Sequence, residues 1–372
     1  MLKNTERRLK QLVAKHGTPL GVIRKSVLLA NVQKFKRLLP RVTPYYAIKA
    51  NPHPDIIRAF VSVGLGFDAA SAQEMDLALS LGAKPGKIIF AHTIKRPEYL
   101  KHAMAQDVTA MTFDSEYELS KIARHARGAR VLVRIKVPNV GSIVELSLKF
   151  GADPADAIPL LRKAKSLGLE PIGVSFHVGS QCTHVENFVE AFEMGAIILS
   201  DAKLKGMPLR ILDIGGGFPI RHFDAEKQDP FEAMAPTLNR EMDRLFDQTV
   251  EIMAEPGRSL VGPAVTLVMR VIGKAIRENK HWYYLDDGVY GALSGIVFDH
   301  CKYQYKVMKR GELQISTLAG PTCDSFDIIS RSEELPELDV GDIVYVDNIG
   351  AYSTASATHF NGLPPAKCIF TE

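Results

Sequence analysis

TPYYAIK, residues 43–49, is an apolar and aromatic run that ends in a lysine. Read as a strand it belongs in a core, where a lysine is seldom tolerated unless it is used. Outward from it the same texture returns along the chain: LGFDA (65–69), KIIFA (87–91), TAMTFD (109–114), RVLVRI (130–135), PIGVSFHV (171–178), LRILDIGG (209–216) and VEIMAEP (250–256). Stretches of helical period lie between most of these runs. Ser71-Ala72-Gln73-Glu74 has the form of a capping box, in which the hydroxyl and the carboxylate satisfy backbone N–H groups at a helix start. Pro97 suits the first turn of a helix over 97–106. Strands alternating with helices predict parallel β/α units. Eight such units, in roughly 250 residues, are what a closed (β/α)8 barrel requires. The barrel is expected over residues 25–263.

Beyond residue 264 the texture changes. VTLVMRVIG (265–273), HWYYLDD (281–287), LQISTLAG (313–320), DIVYVDN (342–348) and AKCIFT (366–371) follow one another with turn residues between them and little room for helices. This pattern predicts a second, mainly antiparallel β domain, formed by residues 264–372 together with 1–24. Two domains suit a chain of 372 residues. The N-terminal MLKNTERRLKQLVAKHG reads as a polar amphipathic helix, without the apolar centre of a signal peptide.

The balance of charge narrows the partners. The 46 basic and 42 acidic residues are interspersed, for a net charge of +4, and no basic block suggests nucleic acid. The short cluster Arg7, Arg8 and Lys10 reads as a solvated helix face. No apolar run approaches the roughly 20 residues that span a bilayer, so no membrane role is expected. Cys182, Cys301, Cys323 and Cys368 have neither metal-site spacing nor a dense disulfide pattern. The expectation is a cytoplasmic protein with no metal.

In a β/α barrel function sits where the strands end, because the βα loops converge there. Those ends are Lys49, Asp68, His92, Asp114, Arg134, His177, Gly215-Gly216-Gly217, and Glu255 with Arg258. A site for pyridoxal 5′-phosphate (PLP) needs a lysine to hold the cofactor as an imine and a group facing the pyridine nitrogen. It also needs backbone N–H groups and a cation for the phosphate. Lys49 suits the first role, and it could equally be a surface lysine at a strand end. Asp213-Ile214-Gly215-Gly216-Gly217 lets the backbone approach an anion closely, or is simply a flexible turn. Glu255 can keep a pyridine nitrogen protonated while Arg258 grips phosphate. The alternative is a local surface pair. His177 could stack on a cofactor ring and Ser180 offer it a hydroxyl, although a histidine there is on its own as readily structural. In the second domain Gly320-Pro321-Thr322-Cys323-Asp324-Ser325 joins a thiol and a carboxylate in a turn. Flanked by Pro, Asp and Gly, Cys323 is expected in a loop and available for acid–base work, where a free cysteine is more often a small buried apolar residue. Asp299 adds another acid, nine residues past Tyr290 in the glycine-rich GVYGALSG.

Taken together, YYAIKAN, GFDAAS, SLKFGA, GVSFHVGSQ, DIGGGFP, AEPGR, DDGVYGA, GPTCDSFD and GAYS occur in this order over nearly the whole chain. The set resembles the alanine racemase-type PLP enzymes and, more narrowly, the eukaryotic-type ornithine decarboxylase family with its bacterial lysine/ornithine relatives. The resemblance implies that Lys49 is the PLP lysine, Glu255 faces the pyridinium nitrogen and His177 stacks on the ring. It implies that Ser180, Gly216, Gly217, Arg258 and Tyr352 hold the phosphate, that Asp68 lies near the lysine, and that Arg134 braces the ring edge. Cys323 would return a proton to the substrate carbon, with Asp299, Asp324 and Tyr290 at the substrate. It further implies a homodimer with shared active sites, in which the Cys323 loop serves the other subunit. One departure is Phe298, where the eukaryotic enzymes often carry tyrosine before the amine-binding aspartate. This points to the bacterial-type branch.

The activity so implied is decarboxylation of L-ornithine to putrescine in polyamine biosynthesis, with L-lysine to cadaverine as a companion reaction. A guanidinium prefers a bidentate fork to a compact pair of aspartates, which ranks arginine third. One methylene separates ornithine from lysine, and an apolar pocket discriminates that by only ~1–3 kcal/mol. Within the same fold the rivals are alanine racemase and diaminopimelate decarboxylase. The latter carries glutamate after the active cysteine, where this chain has Asp324. A non-catalytic binding homologue is the rival from another class, and retention of Lys49, Glu255, Arg258 and Cys323 argues against it.

Overall fold

The computed structural model describes residues 2–139, 142, 149–221, 223 and 225–372. Within SLKFGA (147–152), Ser147 and Leu148 lie outside the described residues. The chain divides into two compact units. One comprises Leu29–Arg221 and Lys227–Leu260; the other holds the N-terminal segment through Leu28 and the chain from Val261 onward.

Strand β1 (Leu20–Arg24) belongs to the second unit. The first unit is a closed barrel of eight parallel strands: β2 (Val42–Ala47), β3 (Gly66–Ala69), β4 (Ile88–Phe90), β5 (Ala110–Phe113), β6 (Arg130–Arg134), β7 (Glu170–Ser175), β8 (Ile211–Asp213) and β9 (Glu251–Ala254). Each predicted run supplies one of them. Pairing proceeds in order, with Ala47 opposite Asp68, Phe90 opposite Met111 and Leu212 opposite Ile252, and it closes with Val42 opposite Ile252. Alternate side chains point inward. Tyr45, Ile89, Ala91, Leu132, Ile172, Ile211 and Met253 form the buried inner layer.

Caps fix where the helices start. Ser71 Oγ accepts from Glu74 N–H at 3.2 Å, and Glu74 Oε2 reaches back to Ala70 N–H at 2.7 Å. The predicted capping box forms, with the carboxylate one residue further back than expected. A second Ser-x-x-Glu caps the helix Glu116–His125 through its serine alone: Ser115 Oγ accepts from Glu118 N–H at 3.3 Å, while the Glu118 carboxylate accepts from Lys95 N–H at 3.1 Å. The helix predicted from Pro97 spans Pro97–Ala105. Between β4 and β5 the sequence gives no warning of Lys95, a fully buried lysine. Its Nζ donates to Thr112 O at 2.6 Å and His92 O at 2.9 Å, and pairs with Glu118 Oε1 at 3.1 Å. Burial pulls its pKa down to about 8, against the opposing pull of Glu118.

The second unit is a mainly antiparallel sheet, with strands β10 (Val265–Arg277), β11 (Lys280–Leu285), β12 (Tyr305–Val307), β13 (Leu313–Ala319), β14 (Ile328–Pro336), β15 (Ile343–Val346) and β16 (Lys367–Thr371). Their order is β12-β15-β10-β11-β13-β14, and β1 pairs with both β10 and β16. Two pairs run parallel, β1 with β16 and β11 with β13. The N-terminal helix Leu2–His16 buries Leu9 and Val13 against Leu20, Val22, Val268 and Tyr345. Strand β14 was not foreseen, because its centre Ser330–Glu334 is polar and it lies at the sheet edge. An edge strand tolerates such a sequence, since much of its surface faces water. Among the described residues no helix is long and apolar enough to cross a membrane.

Candidate active site

At the barrel's C-terminal face the strand-end residues do not share one fate. Strand β2 stops at Ala47, and Lys49 sits in the single 3-10 turn Ile48–Ala50 that follows. The turn frees the lysine side chain from the strand's alternation. Its Nζ meets Asp68 Oδ2 at 2.6 Å, with the lysine side chain 41 % exposed and the aspartate 1 %. Half in water, the lysine stays accessible, and a buried carboxylate orients it.

Glycines 215–217 follow β8 and pack where no side chain fits. At Gly216 a Cβ would stand 2.9 Å from Glu255 O and 3.0 Å from His177 Nε2. Gly217 has φ +95° and would meet Gly179 O at 2.3 Å. The run therefore lies against the ends of β7 and β9. Glu255 N–H donates to Gly215 O at 2.7 Å and Cys182 N–H to Gly217 O at 2.9 Å. Across the same face Arg258 Nη2 donates to Ser180 Oγ at 3.4 Å.

His177 Nδ1 accepts from Gly179 N–H at 3.0 Å, which leaves the ring proton on Nε2. Burial and the positive charges of Arg134 and Lys49 hold its pKa well below the usual histidine range. The ring is a neutral plane. Glu255 is buried, and its pKa is raised well above the usual carboxylate range by burial, and further by Asp213 and Asp68. Its Oε1 and the Oδ1 of Asp68 receive no hydrogen bond from any described residue. Orphaned buried oxygens are costly, so a site holding two of them is built to receive donors from outside the chain.

Other strand ends serve the walls. Asp114 Oδ2 accepts from Gly151 N–H at 2.9 Å, and the ring of His92 turns back onto the backbone of Ile94. Phe150 lies between two rims: its ring centroid is 5.7 Å from that of His92 and 5.5 Å from the Arg134 guanidinium. Sequence reasoning gave Phe150 no role, because its neighbours come from different strands.

A second cluster lies in the β unit. The Tyr290 hydroxyl donates to Asp324 Oδ2, and Phe326 N–H donates to Asp324 Oδ1 at 2.9 Å. These donors hold the Asp324 carboxyl below its usual range. Phe360 stacks on Tyr290 at 4.4 Å, a partner no sequence signal announced. Cys323 is exposed, with its N–H bonded to Asn361 Oδ1 at 3.0 Å. Asp327 fastens the loop: Oδ2 accepts from Thr322 N and Oγ1, and Oδ1 from Val289 N–H at 2.9 Å. Asp299 caps the short helix Gly295–Phe298, whose last residue Phe298 is exposed. Tyr352 has a left-handed backbone, φ 52°.

The barrel residues fit PLP. An accessible lysine, a neutral imidazole, a buried carboxyl with one donor-less oxygen and a side-chain-free backbone cradle stand at one face, with Arg258 and Ser180 beside them. Comparison with known proteins gives the same assignment. Residues 25–262 match the family model described as pyridoxal-dependent decarboxylase, pyridoxal binding domain. The chain is 40 % identical to the lysine/ornithine decarboxylase of Selenomonas ruminantium, over 99 % of this chain and 93 % of that protein. It is 37 % identical to the ornithine decarboxylase of Schizosaccharomyces pombe, over 90 % of this chain and 79 % of that one. The Vibrio vulnificus lysine/ornithine decarboxylase, solved with cadaverine and with putrescine, superposes with a TM-score of 0.92 at 36 % identity, covering 98 % of each chain.

Proposed function

The chain belongs to the family of pyridoxal-dependent decarboxylases, and from that premise we propose that it converts L-ornithine to putrescine and CO2 and L-lysine to cadaverine and CO2, with PLP as cofactor. The observation that carries this reading is the meeting, at one barrel face, of Lys49 on buried Asp68, a neutral His177 and a buried Glu255 with a donor-less oxygen.

When bound, the cofactor supplies an electron sink for the pair left on the substrate α-carbon as CO2 departs. Lys49 anchors it through Nζ, and Asp68 orients that amine. Glu255 keeps a proton at the ring nitrogen, which raises the pull of the sink. His177 lays an uncharged face on the ring, so that it competes with no charge developing there. Arg258, Ser180 and the backbone N–H groups of Gly216 and Gly217 hold the phosphate, joined by Tyr352. Arg134 braces the ring edge. Cys323 returns a proton to the α-carbon, which takes the place of the carboxylate and balances the reaction. Asp299 and Asp324 receive the distal ammonium, beside Tyr290.

The working unit in this reading is a homodimer in which the Cys323 loop of one subunit serves the barrel of the other. Its support is the chemistry: the barrel set holds cofactor functions and the β-unit set holds a proton donor and the cation site. We place the enzyme in the cytoplasm, on the support of cysteines without a disulfide pattern.

The test is CO2 release from L-ornithine, L-lysine, L-arginine and meso-diaminopimelate, measured side by side on the purified holoenzyme. Ornithine and lysine are expected to react with kcat/KM values within about 200-fold of each other. Arginine should be slower than both. A preference for meso-diaminopimelate overturns the assignment.

A further inference from the structure

Asp213 has no part in the chemistry above. It ends β8 two residues after Ile211, a member of the inner layer, so the alternation of the strand turns its carboxyl into the barrel as well. It is fully buried. Its Oδ1 accepts from Gly215 N–H at 2.9 Å, and its carboxyl lies within hydrogen-bond contact of the Glu255 carboxyl. Yet Asp213 Oδ2 and Glu255 Oε1 receive no N–H or O–H from any described residue.

Two ionised carboxylates in contact inside a barrel repel strongly, and here each has one oxygen without a donor. A proton held between them removes both penalties at once. The charged and titratable groups around them come from several strands: Asp68 near the end of β3, Lys49 after β2, Arg134 at the end of β6, and the Tyr45 phenol in the inner layer. Lys49 and Arg134 are two cations set against three carboxyls, so one retained proton brings this cluster to neutrality. The electrostatics run the same way. Burial pushes the Asp213 carboxyl up to about 6, and burial, then the Asp213 charge, pushes that of Glu255 well above the usual carboxylate range.

We propose that Asp213 and Glu255 form an acid pair that keeps one proton in the cofactor-free barrel, and that Asp213 is the positioning residue which holds this proton at Glu255 for the ring nitrogen. When a ring nitrogen meets Glu255, the ring cation replaces the stored proton. That proton passes to the nitrogen or, if the nitrogen arrives protonated, to solvent. Three cations then face three carboxylates. Only this hand-off rests on reading Glu255 as the ring partner; the pair itself does not.

The first measurement is thermal unfolding of the cofactor-free protein against pH. The pair binds a proton more tightly folded than unfolded. Its contribution is therefore full below the ordinary carboxyl range, near pH 4, and is lost as pH rises through 6 and beyond. Asp213→Asn keeps an acceptor for Gly215 and gives Glu255 a permanent donor, so the fall in Tm across that window should flatten. Glu255→Gln should flatten it equally, and the double variant should flatten it no further, which keeps the test open if one variant folds poorly. A uniform drop in Tm with an unchanged slope marks a merely structural aspartate and overturns the pair.

The second measurement titrates the cofactor-free protein with pyridoxal 5′-phosphate in a calorimeter, in buffers of different ionisation enthalpy. Asp213→Asn should release about one proton fewer than wild type. Equal proton counts alongside a flattened slope leave the acid pair standing and reject the hand-off, and with it the role of Glu255 at the ring.

Discussion

Lys49 shows how a single side chain can be both secured and accessible. Its stem leaves a 3-10 turn, its amine meets Asp68 at 2.6 Å, and much of it remains in water. Lys49→Ala should abolish covalent retention of the cofactor while leaving the barrel folded. Borohydride reduction of the wild-type holoenzyme, followed by peptide mapping, should find the label on the peptide holding Lys49; a label elsewhere sinks the assignment. Glu255 is the complementary case, buried and without a donor on Oε1. Glu255→Ala should still bind the cofactor but decarboxylate more slowly by about 10²–10³ in kcat, the scale of losing one preorganised electrostatic contact. Turnover within a few-fold of wild type would show that the carboxyl acts only on its neighbours. Lys49, Glu255 and His177 were legible as candidates because ionisable residues at strand ends stand out in sequence. Asp213 stood within a quoted motif and was passed over. Its signal was an acid two residues after an inward-facing isoleucine, which matters only once the facing glutamate is known.

At the scale of elements, the glycine run after β8 works by what it omits. Gly216→Ala would drive a Cβ to 2.9 Å from the Glu255 carbonyl and 3.0 Å from His177 Nε2. The contact with a backbone oxygen cannot be relieved by rotating a side chain. Overpacking of this kind costs about 1–3 kcal/mol. The expected outcome is a stability loss of that order together with roughly tenfold weaker cofactor binding, measured by spectroscopic titration of the cofactor-free variant. Unchanged affinity would show that the run is a turn and no cradle. Elements of the barrel were readable because the buried strands are short apolar runs separated by stretches of helical period, some opened by a capping serine or aspartate. Strand β14 was not, since the polar centre of an edge strand carries no such pattern.

At the scale of the whole molecule, the candidate residues divide between two units, with Lys49, Glu255 and Arg258 in the barrel and Cys323, Asp324 and Tyr352 in the β unit. If the sites are shared across a homodimer, mixing inactive Lys49→Ala with inactive Cys323→Ala should restore activity. Random reassortment gives each mixed dimer one intact site, so up to roughly a quarter of all sites recover under two-fold symmetry. No rescue, with subunit exchange confirmed by mass, would falsify the shared-site arrangement.

The sequence by itself determined the barrel, the sheet that follows it and the identity of most candidate residues. Those properties depend on local periodicity, capping and residue type, which neighbours along the chain encode. Tertiary structure alone decided which candidates work together. Both His92 and Asp114 follow strand ends closely, as Lys49 does, yet they brace loops, while Asp213, Phe150 and Phe360 enter the clusters unannounced. Whether a carboxyl is solvated, paired or forced to share a proton depends on groups brought against it from other strands. Glu255 lies 42 residues beyond Asp213 in the chain, and only closure of the barrel puts the two acids in contact.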